Sequence, residues 1–453
     1  MRVRIKSGAL LVACIRLAMV FSLGACASPS SPRIPDPTTT PAPTAVPSGA
    51  ATPGLSAPPI VVTPMPSPQP PVATVSATPS PGGAPVRTDP LAQVPACPSD
   101  ISEPLFDTIP IDPNDFLAFR PLGFMSPPIH MFPAKHSAFS MTPLGQKPVA
   151  KPVRAPGRVW VVEIWEASFS TGAANYQVFV YPCREVRVYF GHVVSLSEKL
   201  MAEFRKSEPT CNSFSEGTTT ITTCRRDGMS LLLEAGEQFG MGPDTAGVDF
   251  GVVDFRRTPA AFINVEHYDR YYPYYASPLD YYAGELRRTL EGKTGHVFGT
   301  TRRTAEPIGG TYMQDVPGTA QGNWFVPGKN HRNSTDLSPM LGLAHDYVDP
   351  AQPIMAIGNS IKGVNMGLYS FRVATDGLVN RDFGEVKADG RTYCYDSFVQ
   401  GQSAGGMPLG RPSGILLVSM PSDTTLKVEL VAGNSCSAVA NRALTANATT
   451  FER

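Results

Sequence analysis

Residues 158–169, RVWVVEIWEASF, followed by NYQVFVYP (175–182) and REVRVYFGHV (184–193), decide the fold class. Each run is rich in β-branched, aromatic and other apolar residues, the types that fit a pleated, half-buried surface, so each reads as a strand. GMSLLLEAG (228–236) and GVDFGVVDF (247–255) repeat the pattern. Two helices interrupt it. In SLSEKLMAEFRK (195–206), Ser195 stands three residues before Glu198 as a capping box. In SPLDYYAGELRRTLEGK (277–293), Ser277 is the cap and Pro278 the first helical residue. The expectation is a mainly β domain with two helices.

Downstream, GTTRRTAEPIGG (299–310) reads as a boundary, and TYMQDVPGTAQGNWFVP (311–327) opens the next segment. Further short strands come after: GLYSFRVA (367–374), TYCYDSFV (392–399), GILLVSMP (414–421) and TLKVELVAG (425–433). Asp376-Gly377 and Asp389-Gly390 sit where hairpin turns belong. This part is expected to be a small all-β sandwich, giving a first β domain over 97–305 and a second over 306–453.

Upstream, the chain begins MRVRIKSG and continues through the apolar ALLVACIRLAMVFS to LGAC, ending at Cys26. That is the pattern of an export signal. Leu23, Gly24, Ala25 and Cys26 fit the lipobox of bacterial lipoproteins, which implies cleavage of residues 1–25 and acylation of the Cys26 thiol. Arg16 departs from the pattern, because a charge in the apolar region weakens insertion. An uncleaved anchor or an ordinary secretory peptide are the alternatives. Residues 26–96 come next, Pro-, Ser-, Thr- and Ala-rich, with no aromatic side chain and only Arg33, Asp36, Arg87 and Asp89 charged. Such a composition lacks the apolar residues for a core and reads as a disordered stalk or spacer. Stretched as polyproline II at about 3.1 Å per residue, it spans roughly 200 Å.

Charge and cysteines bound the function. Lys plus Arg equals Asp plus Glu at 38 each, so there is no basic excess of the kind that marks nucleic-acid binding. Of eight cysteines, Cys14 leaves with the signal and Cys26 takes lipid; the even remainder suits an oxidising compartment. The most local pairing is Cys211–Cys224 across a hairpin, Cys394–Cys436, and Cys97–Cys183. No spacing is C-x-x-C, so a thiol-based metal or redox site has little support.

Three further patterns bear on function. GQSAG (401–405) matches a nucleophile elbow with Ser403, but no histidine follows His345, and the base of that triad comes after the serine. DFG occurs at 249–251 and 382–384 without other kinase motifs, so both read as strand ends. HYDRYYPYYASPLDYY (267–282) carries seven of the fifteen tyrosines. Its Tyr271, Tyr272, Tyr274 and Tyr275 are binding candidates, since a tyrosine offers a flat apolar face with a polar tip; packing beneath a helix start is the alternative.

YPCREVRVYFGHVVSLSEKL (181–200) and LLLEAGEQFGMGPDTAGVDFGVVDFRR (231–257), with HMFPAKHSAFS (130–140) before them, resemble the lysostaphin/LytM-type zinc peptidases with a duplicated hybrid motif. They are most similar to uncharacterised lipoprotein relatives of that group. The resemblance covers roughly residues 121–257. It implies a zinc bound by an H-x-x-x-D pair and the second histidine of H-x-H. His136 matches the first ligand, Ser140 stands where the aspartate belongs, and Gly247 and Asp249 occupy the H-x-H positions. His192 matches an additional histidine near the site. His136 and Asp249 make two ligands at best where a catalytic zinc usually has three, unless His192 completes the set. His136 is therefore expected to be a relic and His130 a loop residue, with no cofactor.

The expected function is that of a lipid-anchored, extracytoplasmic, non-catalytic protein. It would bind cell-wall or surface glycan or peptide, or an envelope partner, and no nucleic acid. An active zinc-dependent cell-wall endopeptidase using His136, His192 and Asp249 is the first alternative. A purely structural stalked surface protein is the second.

Overall fold

The strand Val186–Val193 shows how this sequence makes one buried and one open sheet face. Val186, Val188 and Phe190 are fully buried, while the alternate residues Arg187, Tyr189 and Gly191 point the other way. The strand beside it, Gly247–Asp254, repeats the alternation with Val248, Phe250 and Val252 inward. In this computed structural model the described residues are 89–170, 172, 174–216, 219–243, 245–334, 336–401, 412–439 and 442–453. The export signal, Cys26, most of the proposed stalk and Ser403 lie outside them.

The fold is mainly β, with two α-helices among the described residues. A ten-stranded antiparallel sheet dominates the first half. Its main path runs Ala118–Arg120, Ser137–Ser140, Gly247–Asp254, Val186–Val193, Ala174–Cys183, Val159–Phe169, Thr219–Arg226, Thr210–Glu216. A three-stranded sheet of Lys151–Arg154, Gln238–Gly242 and Ser195–Leu196 lies nearby in sequence. The inward residues pack into one cluster with Leu200 and Phe204 of α1 (Glu198–Phe204) and Leu290 of α2 (Gly284–Glu291). Phe250 stacks at 5.0 Å on Phe190 and 5.7 Å on Phe139, tying three adjacent strands together. Each such ring contributes roughly 1.5–3 kcal/mol by leaving water.

The second half contains a five-stranded sheet (Gly322–Trp324, Leu341–His345, Pro353–Ile357, Gly367–Ser370, Val399–Gln400) and a four-stranded one (Tyr393–Tyr395, Ile415–Ser422, Thr425–Val431, Thr449–Glu452). Trp324, Leu343 and Tyr369 of the first share one core with Tyr395, Leu416 and Phe451 of the second, as two faces of a sandwich do. The change from the first core to this one falls near residues 308–320. A third cluster joins the halves, with Leu122, Phe132 and Tyr268 meeting Phe325, Met340 and Ile354, and the described residues from 89 onward form one unit.

All three disulfides have the expected partners: Cys97–Cys183, Cys211–Cys224 and Cys394–Cys436. Cys211 and Cys224 face each other directly in their hairpin. Several local expectations are corrected. The cap of α1 is Ser197, whose side chain accepts from the Leu200 amide; Ser195 is paired with Met241 in the small sheet and is not free to cap. Ser277 does cap, but only a 3-10 turn over Pro278–Tyr281. The chain then breaks at Gly284, whose φ of +55° is the left-handed region that glycine favours, so 277–293 is two pieces. Gly377 and Gly390 have positive φ as turns require, yet they lie in the connection between the two C-terminal sheets and join no hairpin. The first DFG sits within a strand and the second starts a 3-10 turn capped by Asp382, so neither is a strand end. The expected stalk ends too late. Val94 is fully buried against Trp160 and Val162, and Arg184 donates to the Val94 carbonyl, so residues 89–96 belong to the folded unit.

Candidate functional site

The open face of the large sheet carries a cavity of about 750 Å³. Register builds its floor. Gly251, Tyr189, Phe179 and Glu163 stand opposite one another on four successive strands, and Gln177, Trp165 and Arg225 form a second row. Residues directly opposed in antiparallel strands put their side chains on the same face, so both rows point into the cavity. A register shift between Val161 and Glu163 turns Glu163 to this face while Val161 and Ile164 stay in the core. Gly251 is required here: a Cβ would lie 2.1 Å from a Tyr189 ring carbon.

At one end, the sheet gathers His136, His192 and Asp249. His136 immediately precedes Ser137–Ser140, and Asp249 lies opposite Ala138 on one side and Gly191 on the other. His192 follows Gly191, with a φ of +61°. A Cβ on Gly191 would crowd the Asp249 carboxylate at 3.1 Å, so glycine leaves that space clear. Asp249 Oδ1 lies 3.5 Å from His136 Nδ1 and 3.5 Å from an Arg120 guanidinium nitrogen; Oδ2 lies 3.6 Å from His192 Nε2. His130, expected to be a loop residue, does sit in a loop, but its ring is 5.3 Å from that of His136 and lines the same cavity.

Burial pushes the His130 pKa down to about 3, with His136 and Arg120 adding to the effect. Burial also lowers that of His136, against the pull of Asp249. For Asp249, burial works to raise the pKa, but His136, His192 and Arg120 together hold the carboxyl below its ordinary value. Near neutral pH the cluster is therefore an ionised carboxylate facing Arg120, with His130 and His136 uncharged.

These residues meet a zinc ion poorly. His136 Nδ1 is 3.1 Å from the Ser137 carbonyl, to which its N–H donates, and His192 Nδ1 is 3.3 Å from the Asn175 amide nitrogen. With Asn175 donating, the proton of His192 sits on Nε2, the atom that faces Asp249. Zinc bonds of about 2 Å hold ligand atoms within roughly 4 Å of one another. Among the described residues the group of His, Cys, Asp or Glu side chains placed to hold a metal is Cys97, Cys183 and Glu185, and those cysteines are joined to each other.

The remaining wall is aromatic and cationic. Arg187 lies between two rings, 4.0 Å from the Phe179 centroid and 4.8 Å from that of Tyr271, and Arg270 stacks on Tyr271 at 4.7 Å. Trp165 meets Phe179 at 5.5 Å and carries Arg225 at 5.8 Å. Glu163 binds both Arg187 (2.8 Å) and Arg225 (2.6 Å), and accepts from the Trp165 indole at 2.6 Å. The Lys135 ammonium lies over Tyr272 (4.7 Å) and Tyr275 (5.1 Å). Of the four tyrosine candidates, Tyr271, Tyr272 and Tyr275 line the cavity; Tyr274 does not, and packs on Phe255 instead. Sequence reasoning passed over Lys135, Glu163, Trp165, Phe179, Arg187 and Tyr189. Their signal was present: in 163–165 and 187–189 a charged residue and an aromatic one alternate with buried aliphatics.

No known protein family, curated protein or solved structure matches the chain.

Proposed function

We propose that this chain is an exported, lipid-anchored protein that binds cell-wall or surface glycan in the sheet-face cavity and does not cleave it. The cavity carries the reading. Ligand sites combine concavity, apolar and aromatic walls and a few convergent polar groups, and about 750 Å³ falls within their usual range. Trp165, which is 37% exposed, offers a ring on which a pyranose packs, Tyr271 and Tyr275 line the same cavity, and the charged groups between them offer hydroxyl partners. The lipid anchor rests on the lipobox at Cys26, and the step from a peptidase-like sequence to a binding groove rests on analogy.

The non-catalytic part of the proposal rests on the donor set. Arg120 places a fixed positive charge at the carboxylate that a metal would share. Ser140 is a buried hydroxyl where the peptidases have a carboxylate. At Gly247, a Cβ would lie 2.1 Å from the Phe139 carbonyl oxygen, so the missing histidine has no room to return. An active zinc endopeptidase is the second reading, favoured by the approach of His136 and His192 to one carboxylate. Zinc content and hydrolysis of muropeptides by the purified full chain separate the two. Substoichiometric zinc and intact muropeptides are expected; one zinc per chain, lost together with hydrolysis in His136→Ala, would establish the peptidase instead.

A further inference from the structure

The chain as a whole is neutral, but its cavity is not. Lys135, Arg187, Arg225 and Arg270 line it against Glu163, Asp249 and Asp269. Asp249 already faces Arg120, and Glu163 is shared between Arg187 and Arg225. Asp269 Oδ1 accepts the backbone amides of Tyr271 and Tyr272. Among the described residues Lys135 makes no ion pair within 4.0 Å; its ammonium lies over two tyrosine faces, with Asp269 acting on it from beyond contact. An ammonium that no carboxylate touches directly has a position for an incoming anion.

We propose, resting on the glycan-binding reading above, that the cavity selects glycans bearing carboxylates, with Lys135 and Arg270, which lies over Tyr271, as the groups that receive them. Arg270 is exposed and lies over the Tyr271 ring at 4.7 Å, and among the described residues its one hydrogen-bond partner is the Tyr271 hydroxyl at 2.6 Å, which leaves further N–H groups for a planar carboxylate. The floor favours a glycan over an acidic peptide. Extended peptides bind by adding a strand to an open sheet edge, whereas the four floor strands from Gly247–Asp254 to Val159–Phe169 are each paired on both sides. Sugar rings need only the side-chain faces this floor presents.

The test is calorimetric titration of the detergent-solubilised full chain with three probes. They are a tetragalacturonate, the same tetramer with its carboxyls reduced to alcohols, and pentaglutamate. The acidic tetramer should bind at least about tenfold more tightly than the reduced one, as charge-assisted contacts predict. Lys135→Met should remove that preference, read as the ratio of the two affinities within the variant. If Lys135→Met does not fold, Arg270→Gln, a surface change, carries the test and should lower the same ratio. Equal binding of the two tetramers would overturn the carboxylate preference and leave a glycan site standing. Binding of pentaglutamate alone, or of no probe, would overturn both this inference and the glycan reading.

Discussion

Replacing Arg120 by methionine would leave Asp249 as a buried carboxylate facing only imidazoles. The methionine keeps much of the packing that the arginine stem makes near Phe124, over whose ring the guanidinium sits at 4.2 Å. Removing one partner of a buried ion pair typically costs about 3–5 kcal/mol. The Arg120–Asp249 separation of 3.5 Å is longer than a strong charge-assisted bond, which places the expected loss near the lower end, about 3 kcal/mol. That loss should depend on pH. Arg120 lowers the His136 pKa and Asp249 raises it, so the variant's His136 has a higher folded-state pKa than the wild type's. The wild type's lowered His136 pKa costs stability at low pH, and the variant, with that pKa less depressed, loses less there. The penalty should thus be full at pH 8 and shrink at an acid pH below the variant's folded-state His136 pKa, where a protonated imidazole replaces the guanidinium. Urea unfolding of both proteins at the two pH values measures this. No penalty at pH 8 would refute the view that Arg120 is the counter-charge of Asp249.

Three further outcomes are expected. Cys211→Ser should free the Cys224 thiol and cost about 3 kcal/mol, the usual effect of a bridge closing a loop this short; chemical denaturation with a thiol assay checks it, and an unchanged midpoint would show the staple to be idle. Gly251→Ala should displace the Tyr189 ring and destabilise by about 1–3 kcal/mol, readable as a shift in thermal midpoint, because the new Cβ would meet that ring at 2.1 Å. Cys26→Ala should leave a larger, unlipidated precursor on immunoblots; unchanged mass and membrane partition would rule out the anchor.

The sheet was legible in 158–193 and 247–255 because β-branched and aromatic residues recur there at strand density, and local spacing was enough to pair the cysteines. Leu341–His345 and Pro353–Ile357 were not read as strands; they are short and contain Gly342, Ala344 and Pro353, residues of low β-propensity. Ser195 with Glu198 reads as a capping box on paper, but its pairing with Met241 in the small sheet leaves the cap to Ser197. The resemblance directed attention to His136, His192 and Asp249, which the fold does bring to one end of a cavity. Arg120 and Lys135 could not be found that way. Arg120 lies far from Asp249 in sequence and reaches it through pairing of Ala118–Arg120 with Ser137–Ser140, and Lys135 acquires its meaning only from tyrosines more than a hundred positions later.

The most direct measurement is the tryptophan emission of the full chain during titration with soluble cell-wall glycan strands. Trp165 faces the cavity and is partly exposed, whereas Trp324 is fully buried in the second half and Trp160 lies beneath Val94. If the cavity binds glycan, emission should change saturably, Trp165→Phe should abolish the change, and the strands should be recovered at their original length. An unchanged emission, or a response that survives Trp165→Phe, would contradict the claim that this cavity binds glycan.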